Sequence, residues 1–321
     1  MKYDHEIPIF FSIDDAYAPF LAVALCSAIK NSSPARKYRA IVLYREVSDE
    51  NIRKISALAS GRDNFIIDFV RMENGMESIT DRMSNRLRCD YFTLTIYFRL
   101  FIPIMFPEYD KGVYVDSDVV IDRDIAELYD TDIGDKLIGA CADLSVADVP
   151  ELVSYMEDAV GVKKEEYINS GVLLMNLREL RRVKIDERFL GLLSEYHFDC
   201  IAPDQDYLNA MCNGRIYYLD EGWDVMPNDG KAPFEGKKLI HYNLFSKPWC
   251  YDGVQYADDF WRYAEESGYY SQIKEYKDNY SDDRKRADGE CMALLVRRGK
   301  EIAETEVTFK KMFEAGVKIR L

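Results

Sequence analysis

The sequence predicts an α/β fold, a sheet flanked by helices with a small helical extension at the carboxyl end, and three observations lead there. Within the first 70 residues, apolar strand-like runs alternate with stretches of helical spacing, the β-α-β-α-β order of a parallel sheet. A fourth apolar run, Lys111 to Ile121, contains Gly112 and carries two carboxylates two residues apart, Asp116 and Asp118. From about residue 255 onward, aromatic and charged segments of helical character replace the strands. The reading therefore divides the chain into a main domain, 1–254, and an extension, 255–321.

In order, Ile7–Ile13 reads as a first strand, with Asp14 and Asp15 directly after it, and Phe20–Lys30 as a helix led in by Pro19. Tyr38–Tyr44 is a second strand, Ser48 caps a helix over Asp49–Ala59 that ends at Gly61, and Phe65–Val70 is a third strand. Asp90 opens an apolar helix that runs to Phe106. Lys111–Ile121 follows as one strand, on which Asp116 and Asp118 point to the same side. In a doubly wound order, Asp14 and Asp116 open onto one edge of the sheet. Leu137–Cys141 is a short strand, and acidic Ala147–Lys164 is a candidate flap. Ile168–Leu177 is a strand with Asn169 and Gly171 at its entry, and Arg178–Tyr196 is a single helix. Asp204 reads as the cap of the next helix, Ile216–Leu219 as a strand, and Leu239–Ile240 leads into His241.

At 321 residues with 48% hydrophobic and 31% charged residues, the chain can bury a sizeable core and is not disordered. Its net charge of -15 repels nucleic acid, and no long basic run offsets it. The seven cysteines are odd in number and scattered, which predicts free thiols in a reducing compartment. With no secretory signal and no membrane span in the sequence, a cytoplasmic protein is expected. The tail from Arg297, with seven basic and four acidic residues, leaves room for weak peripheral contact with a membrane surface.

Two carboxylates at contact distance repel by roughly 4 kcal/mol at an effective dielectric near 20 unless a cation or a proton intervenes. Asp116 and Asp118 are thus either a metal site or a dyad with one raised pKa. D-x-D occurs four times in the chain, but only this pair comes off an apolar strand. Adding His241 gives a donor set suited to Mn²⁺ or another borderline divalent ion, with positions left for phosphate oxygens. Lys247, six residues later, carries positive charge to the same place, and Arg99 inside an apolar helix needs an anionic partner. No G-x-G-x-x-G follows the first strand and no P-loop or G-x-S-x-G elbow occurs, so dehydrogenase, P-loop and serine-hydrolase readings lose their support.

Phe11–Tyr17, Val113–Val119, Asn169–Leu177, Asp204-Gln205-Asp206 and His241-Tyr242 with Lys247-Pro248-Trp249, in this order, resemble the family 8 retaining glycosyltransferases. The resemblance runs from about Ile7 to Trp249. It implies a GT-A fold, a Rossmann-like mixed sheet between helices, and a UDP-hexose donor, UDP-glucose or UDP-galactose. It implies Mn²⁺ or Mg²⁺ on Asp116, Asp118 and His241, and nucleotide contacts from Ser12, Asp14, Ser117 and Lys247. Arg99, Asn169, Asp204 and Gln205 would surround the transferred sugar, and the acceptor would be a saccharide or glycolipid. Two positions depart from the family pattern: Ala16 replaces a polar residue and Leu244 a glycine. Val113–Val120 also looks like the nucleophile strand of haloacid-dehalogenase phosphatases, with Asp116 as nucleophile, although three strands precede it here. A sugar-nucleotide-binding protein without turnover is the remaining alternative.

Overall fold

The computed structural model describes residues 6–72, 79–80, 85–86, 93–228 and 230–321. Its first half follows the expected alternation: β1 (Glu6–Ile13), α1 (Ala18–Asn31), β2 (Lys37–Tyr44), α2 (Asp49–Ser56), β3 (Phe65–Arg71), α3 (Phe98–Met105) and β4 (Gly112–Val115). Then come β5 (Val119–Ile121), α4 (Ile125–Tyr129), β6 (Ile138–Ala140), α5 (Pro150–Ser154), β7 (Val172–Met175), α6 (Leu177–Arg182), α7 (Ile185–Tyr196), α8 (Pro203–Cys212), β8 (Ile216–Tyr218) and β9 (Leu239–His241). Four helices close the chain: α9 (Ala257–Ala264), α10 (Tyr270–Asp278), α11 (Asp282–Ala303) and α12 (Phe309–Glu314). Asp90, expected to open the helix before β4, lies outside the described residues.

Seven strands form one sheet in the order β3-β2-β1-β4-β7-β6-β8. β1, β2, β3 and β4 pair in parallel, as do β6 and β8, while β7 runs against both of its neighbours. The sheet separates two cores, and strand alternation assigns each side chain to one of them. Ile9, Phe11, Val113 and Val115 face the side covered by α1, α2, α4, α9 and α10. Phe10, Tyr114, Leu173 and Met175 face α3, α5 to α8, α11 and α12. A sheet covered on both faces needs apolar residues in both registers, which explains why β1 reads as a nearly unbroken hydrophobic run. The carboxyl-terminal helices divide between the two faces, α9 and α10 on one and α11 and α12 on the other.

Four expectations need correction. The run 111–121 is two strands, because β4 pairs with β7 while β5 leaves the main sheet and pairs with β9. Asp116, Ser117 and Asp118 are the bend between them, so the two carboxylates converge through a turn and not along an extended strand. The helix expected over 178–196 is α6 and α7, broken at Val183 and at Lys184, whose φ is +53°. The candidate flap is a wall: Leu152, Tyr155, Met156, Ala159 and Val160 are buried in the core shared with α11 and α12. Asp204 does not cap α8, since Ala202 holds that position and no side chain bonds there. Six cysteines are free and buried, as expected, and Cys89 lies outside the described residues.

Candidate active site

The ends of β1 and β4 lie side by side, with Phe10 opposite Tyr114, at the point where the strand order reverses. A crevice is expected there, and a cleft of about 350 Å³ is found. All eleven residues singled out from the sequence line it: Ser12, Asp14, Arg99, Asp116, Ser117, Asp118, Asn169, Asp204, Gln205, His241 and Lys247.

Three of them form a cluster whose ligand atoms lie within 4.8 Å of one another: Asp116, Asp118 and His241. Backbone pairing puts them there. The amide of Asp116 donates to Gly171 O at the end of β7, and the amide of Tyr242 donates to Asp118 O. Val119 faces His241 across β5 and β9, which brings the imidazole beside the bend. His241 Nε2 is 3.4 Å from Asp118 Oδ1 and 3.9 Å from Asp116 Oδ2. Its other nitrogen, Nδ1, is 2.9 Å from buried Asp224, a residue the sequence did not single out. A carboxylate behind a ligating histidine fixes its ring and tautomer. Burial would strip the imidazole of its proton, but Asp224 and Asp118 hold its pKa well above the usual value.

The residues present fit a divalent cation. Two carboxylates and an imidazole within bonding reach of one point are a suitable hard-to-borderline donor set. Gly171 leaves the space clear: a Cβ there would lie 2.3 Å from His241 Cε1 and 2.8 Å from Asp116 Oδ2. The charge balance is completed by Lys247, whose Nζ donates to Asp118 Oδ2 at 2.6 Å and to Tyr242 O at 2.8 Å. Burial opposes the ionisation of Asp118, yet Lys247 and His241 keep its pKa far below the ordinary carboxylate range.

On the other side of the cleft the polar groups are tied to each other. Arg99 is buried; it donates to Asp116 Oδ1 (2.9 Å) and to Ser170 O and Oγ, its Nε lies 3.2 Å from Asp204 Oδ2, and it stacks on the Tyr114 ring. Burial works against its charge, and Asp116 and Asp204 more than restore it. Asp204 also accepts from Ser170 Oγ, and burial leaves its pKa raised despite Arg99. Gln205 accepts from Ser170 N and donates to Asp143, and Asn169 accepts from Gly171 N and donates to the same Asp143 carboxylate. Asp143, buried at the hub of these bonds, gave no signal in sequence because it precedes a loop and belongs to no motif. Ser12 Oγ shares a hydrogen bond with Tyr114 OH, which donates to Asp116, and Ser117 Oγ donates to Ser12 O. Leu244, also on the cleft wall, has φ +52°, a left-handed conformation that favours glycine, the residue the family pattern has there.

The sequence profile of Glycosyl transferase family 8 matches residues 8–253. A Haemophilus influenzae protein is 28% identical over 221 residues, covering 69% of this chain, which spans 64% of that relative's length. The lipopolysaccharide 1,2-glucosyltransferase of Escherichia coli K12 is 23% identical over 265 residues, 77% of this chain and 75% of that one. Among solved structures, the galactosyltransferase LgtC in complex with donor and acceptor sugar analogues superposes with a TM-score of 0.68 at 28% identity, over 81% of this chain and 96% of that one. The fold is therefore GT-A, and the phosphatase alternative for Asp116 falls with the family match. By the match over 8–253, the chain belongs to glycosyl transferase family 8.

Proposed function

We propose that the protein transfers a hexose, glucose or galactose, from a UDP-sugar to a hydroxyl of a saccharide or glycolipid, with retention of configuration. One observation carries the reading: Asp116, Asp118 and His241 converge within 4.8 Å, beside Lys247, in the wall of the cleft. These three would hold Mn²⁺ or Mg²⁺. When bound, the cation supplies Lewis-acid stabilisation of a leaving diphosphate. Lys247, drawn from Asp118 toward incoming phosphate oxygens, adds a point charge to the same leaving group. Ser12 at the end of β1, Asp14 just after it and Ser117 after β4 are assigned to the nucleotide.

Arg99, Asn169, Asp204 and Gln205 are assigned to the sugar. Because Arg99 and Ser170 both engage Asp204 Oδ2, that oxygen acts best as a fixed negative charge beside a cationic anomeric centre. Attack from the side the diphosphate leaves then accounts for retention better than a covalent adduct. We assign catalysis to 1–254 and treat 255–321 as a helical extension of it. Among the described residues no helix is long and apolar enough to cross a membrane. A cytoplasmic location is proposed, with any membrane contact weak, since Arg298, Lys310 and Lys311 are already paired with acids.

The test is UDP release from a panel of sugar nucleotides with and without Mn²⁺. Asp116→Asn and Asp118→Asn should each lower turnover by about 100-fold or more, and turnover like that of the wild type in both would remove the metal role. Mn²⁺-dependent UDP binding without release over an acceptor panel would favour the non-catalytic reading.

A further inference from the structure

A second cavity, of about 80 Å³, adjoins the main cleft, and Ala202, Gln205, Asn243 and Leu244 line both. None of the three proposed metal ligands, nor Asp14 or Lys247, borders it, so it lies on the Gln205 side of the cleft. Its remaining wall is mainly hydrocarbon: Val146, Leu152, Met156, Ile201 and Leu295. Leu295 comes from α11, beyond residue 253 where the family match ends.

The polar side chains that reach this annex are already bonded to protein. Asp143 accepts from Ser145, Asn169 and Gln205, and Tyr155 and Tyr167 both donate to Asp206. Both ends of the Gln205 amide are engaged, and Asn243 accepts from Leu244 N and donates to Ser145 Oγ. A hydroxyl entering this space would give up its water partners for a wall that is mostly hydrocarbon and polar groups already committed to protein bonds. A methyl group loses nothing and removes apolar surface from water. The volume exceeds the roughly 30 Å³ of one water and is too small for a second sugar ring.

We propose that the annex receives the methyl end of an N-acetyl group, carried by one of the two sugars that meet in the cleft, with the amide left at the wet mouth. The inference rests on the sugar-nucleotide reading above: in the acceptor position it narrows that reading, and in the donor position it replaces the plain hexose by its N-acetylated form. The chain then prefers an N-acetylated sugar to the plain hexose in either its donor or its acceptor position, and α11 sets that preference from outside the family-matched region.

Calorimetry with Mn²⁺ present tests both positions: UDP-glucose against UDP-N-acetylglucosamine for the donor, and glucose against N-acetylglucosamine in the presence of UDP for the acceptor. One arm should favour the N-acetylated member by about tenfold, and that arm identifies the sugar. Leu295→Trp fills the annex from α11 and leaves Asp116, Asp118, His241 and Lys247, none of which borders it, in place, and Val146→Phe does so from another wall should the first variant not fold. Either should erase the preference while leaving the affinity for UDP itself unchanged. Equal affinities in both arms, or a preference that survives filling, overturn the proposal. UDP binding without any N-acetyl preference sinks the annex alone, and failure to bind UDP sinks the nucleotide reading along with it.

Discussion

The two sides of the cleft solve opposite problems. On one side, Asp116, Asp118 and His241 crowd acceptors and a basic nitrogen around a point with room for an ion. On the other, Arg99, Asn169, Asp204, Gln205 and Asp143 satisfy one another in a buried network. The first side is built to exchange a ligand; the second is built to stay where it is. Arg99 belongs to both, since one nitrogen bonds Asp116 and another faces Asp204.

That shared position makes Arg99 the place to break the contrast. Arg99→Leu takes from buried Asp204 its cationic partner and leaves it beside the half-buried Asp116. Removing one partner of a buried ion pair costs about 3–5 kcal/mol, which urea denaturation would read directly. A loss below about 1 kcal/mol would mean that the network is not held by charge.

Next in size is a pH effect from the closed side. Asp206, next in α8 to Gln205 of the cleft wall, is buried with Tyr155 and Tyr167 donating to it, and burial pushes its pKa up to about 7 despite those bonds. A carboxyl with a raised folded-state pKa stabilises the fold below its unfolded value, near 4, and that contribution is lost as pH rises toward 7. Asp206→Asn should remove up to about 4 kcal/mol of this dependence, seen as a flatter stability profile between pH 4 and 7. An unchanged profile would show that Asp206 is ionised throughout.

The two sides also differed in how far sequence revealed them. The exchanging side was readable because its groups sit at strand ends: Asp116 and Asp118 after β4, and His241 at the end of β9, each flanked by an apolar run. What sequence missed was the break between β4 and β5. Its cause lies in pairing partners, β7 and β9, that a local pattern does not contain. On the closed side Arg99 stood out by its own chemistry, as a charge inside an apolar helix, while Asn169, Asp204 and Gln205 were assigned to the sugar by the family resemblance. Asp143 and Asp224 were invisible because their roles depend on contacts to residues 169, 205 and 241, and nothing local marks an acid as buried. The break between α6 and α7 was missed for a related reason, since the left-handed residue there is Lys184, with no glycine to mark the turn.

Asp224 sharpens the comparison at the seam, being a closed, buried group that acts on the exchanging side through His241. Its Oδ2 has no hydrogen-bond partner among the described residues, so its charge is directed at the imidazole. Asp224→Asn should weaken Mn²⁺ binding about 10- to 100-fold and leave the fold intact. Unchanged affinity would make Asp224 a structural residue only.

The smallest expected effect is the most discriminating, because it runs against intuition. Lys247 lies 2.6 Å from Asp118, an acid the cation would also need. A lysine held there repels an incoming divalent ion and gives up its partner only when phosphate oxygens arrive to take its charge. Metal and nucleotide should therefore bind better together than apart. Lys247→Met should tighten Mn²⁺ binding in the absence of nucleotide by about 3- to 10-fold while weakening UDP binding measured with Mn²⁺ saturating. Should both affinities fall together, Lys247 would be supporting the acid cluster and not competing for it, and the exchanging side would be as rigid as its neighbour.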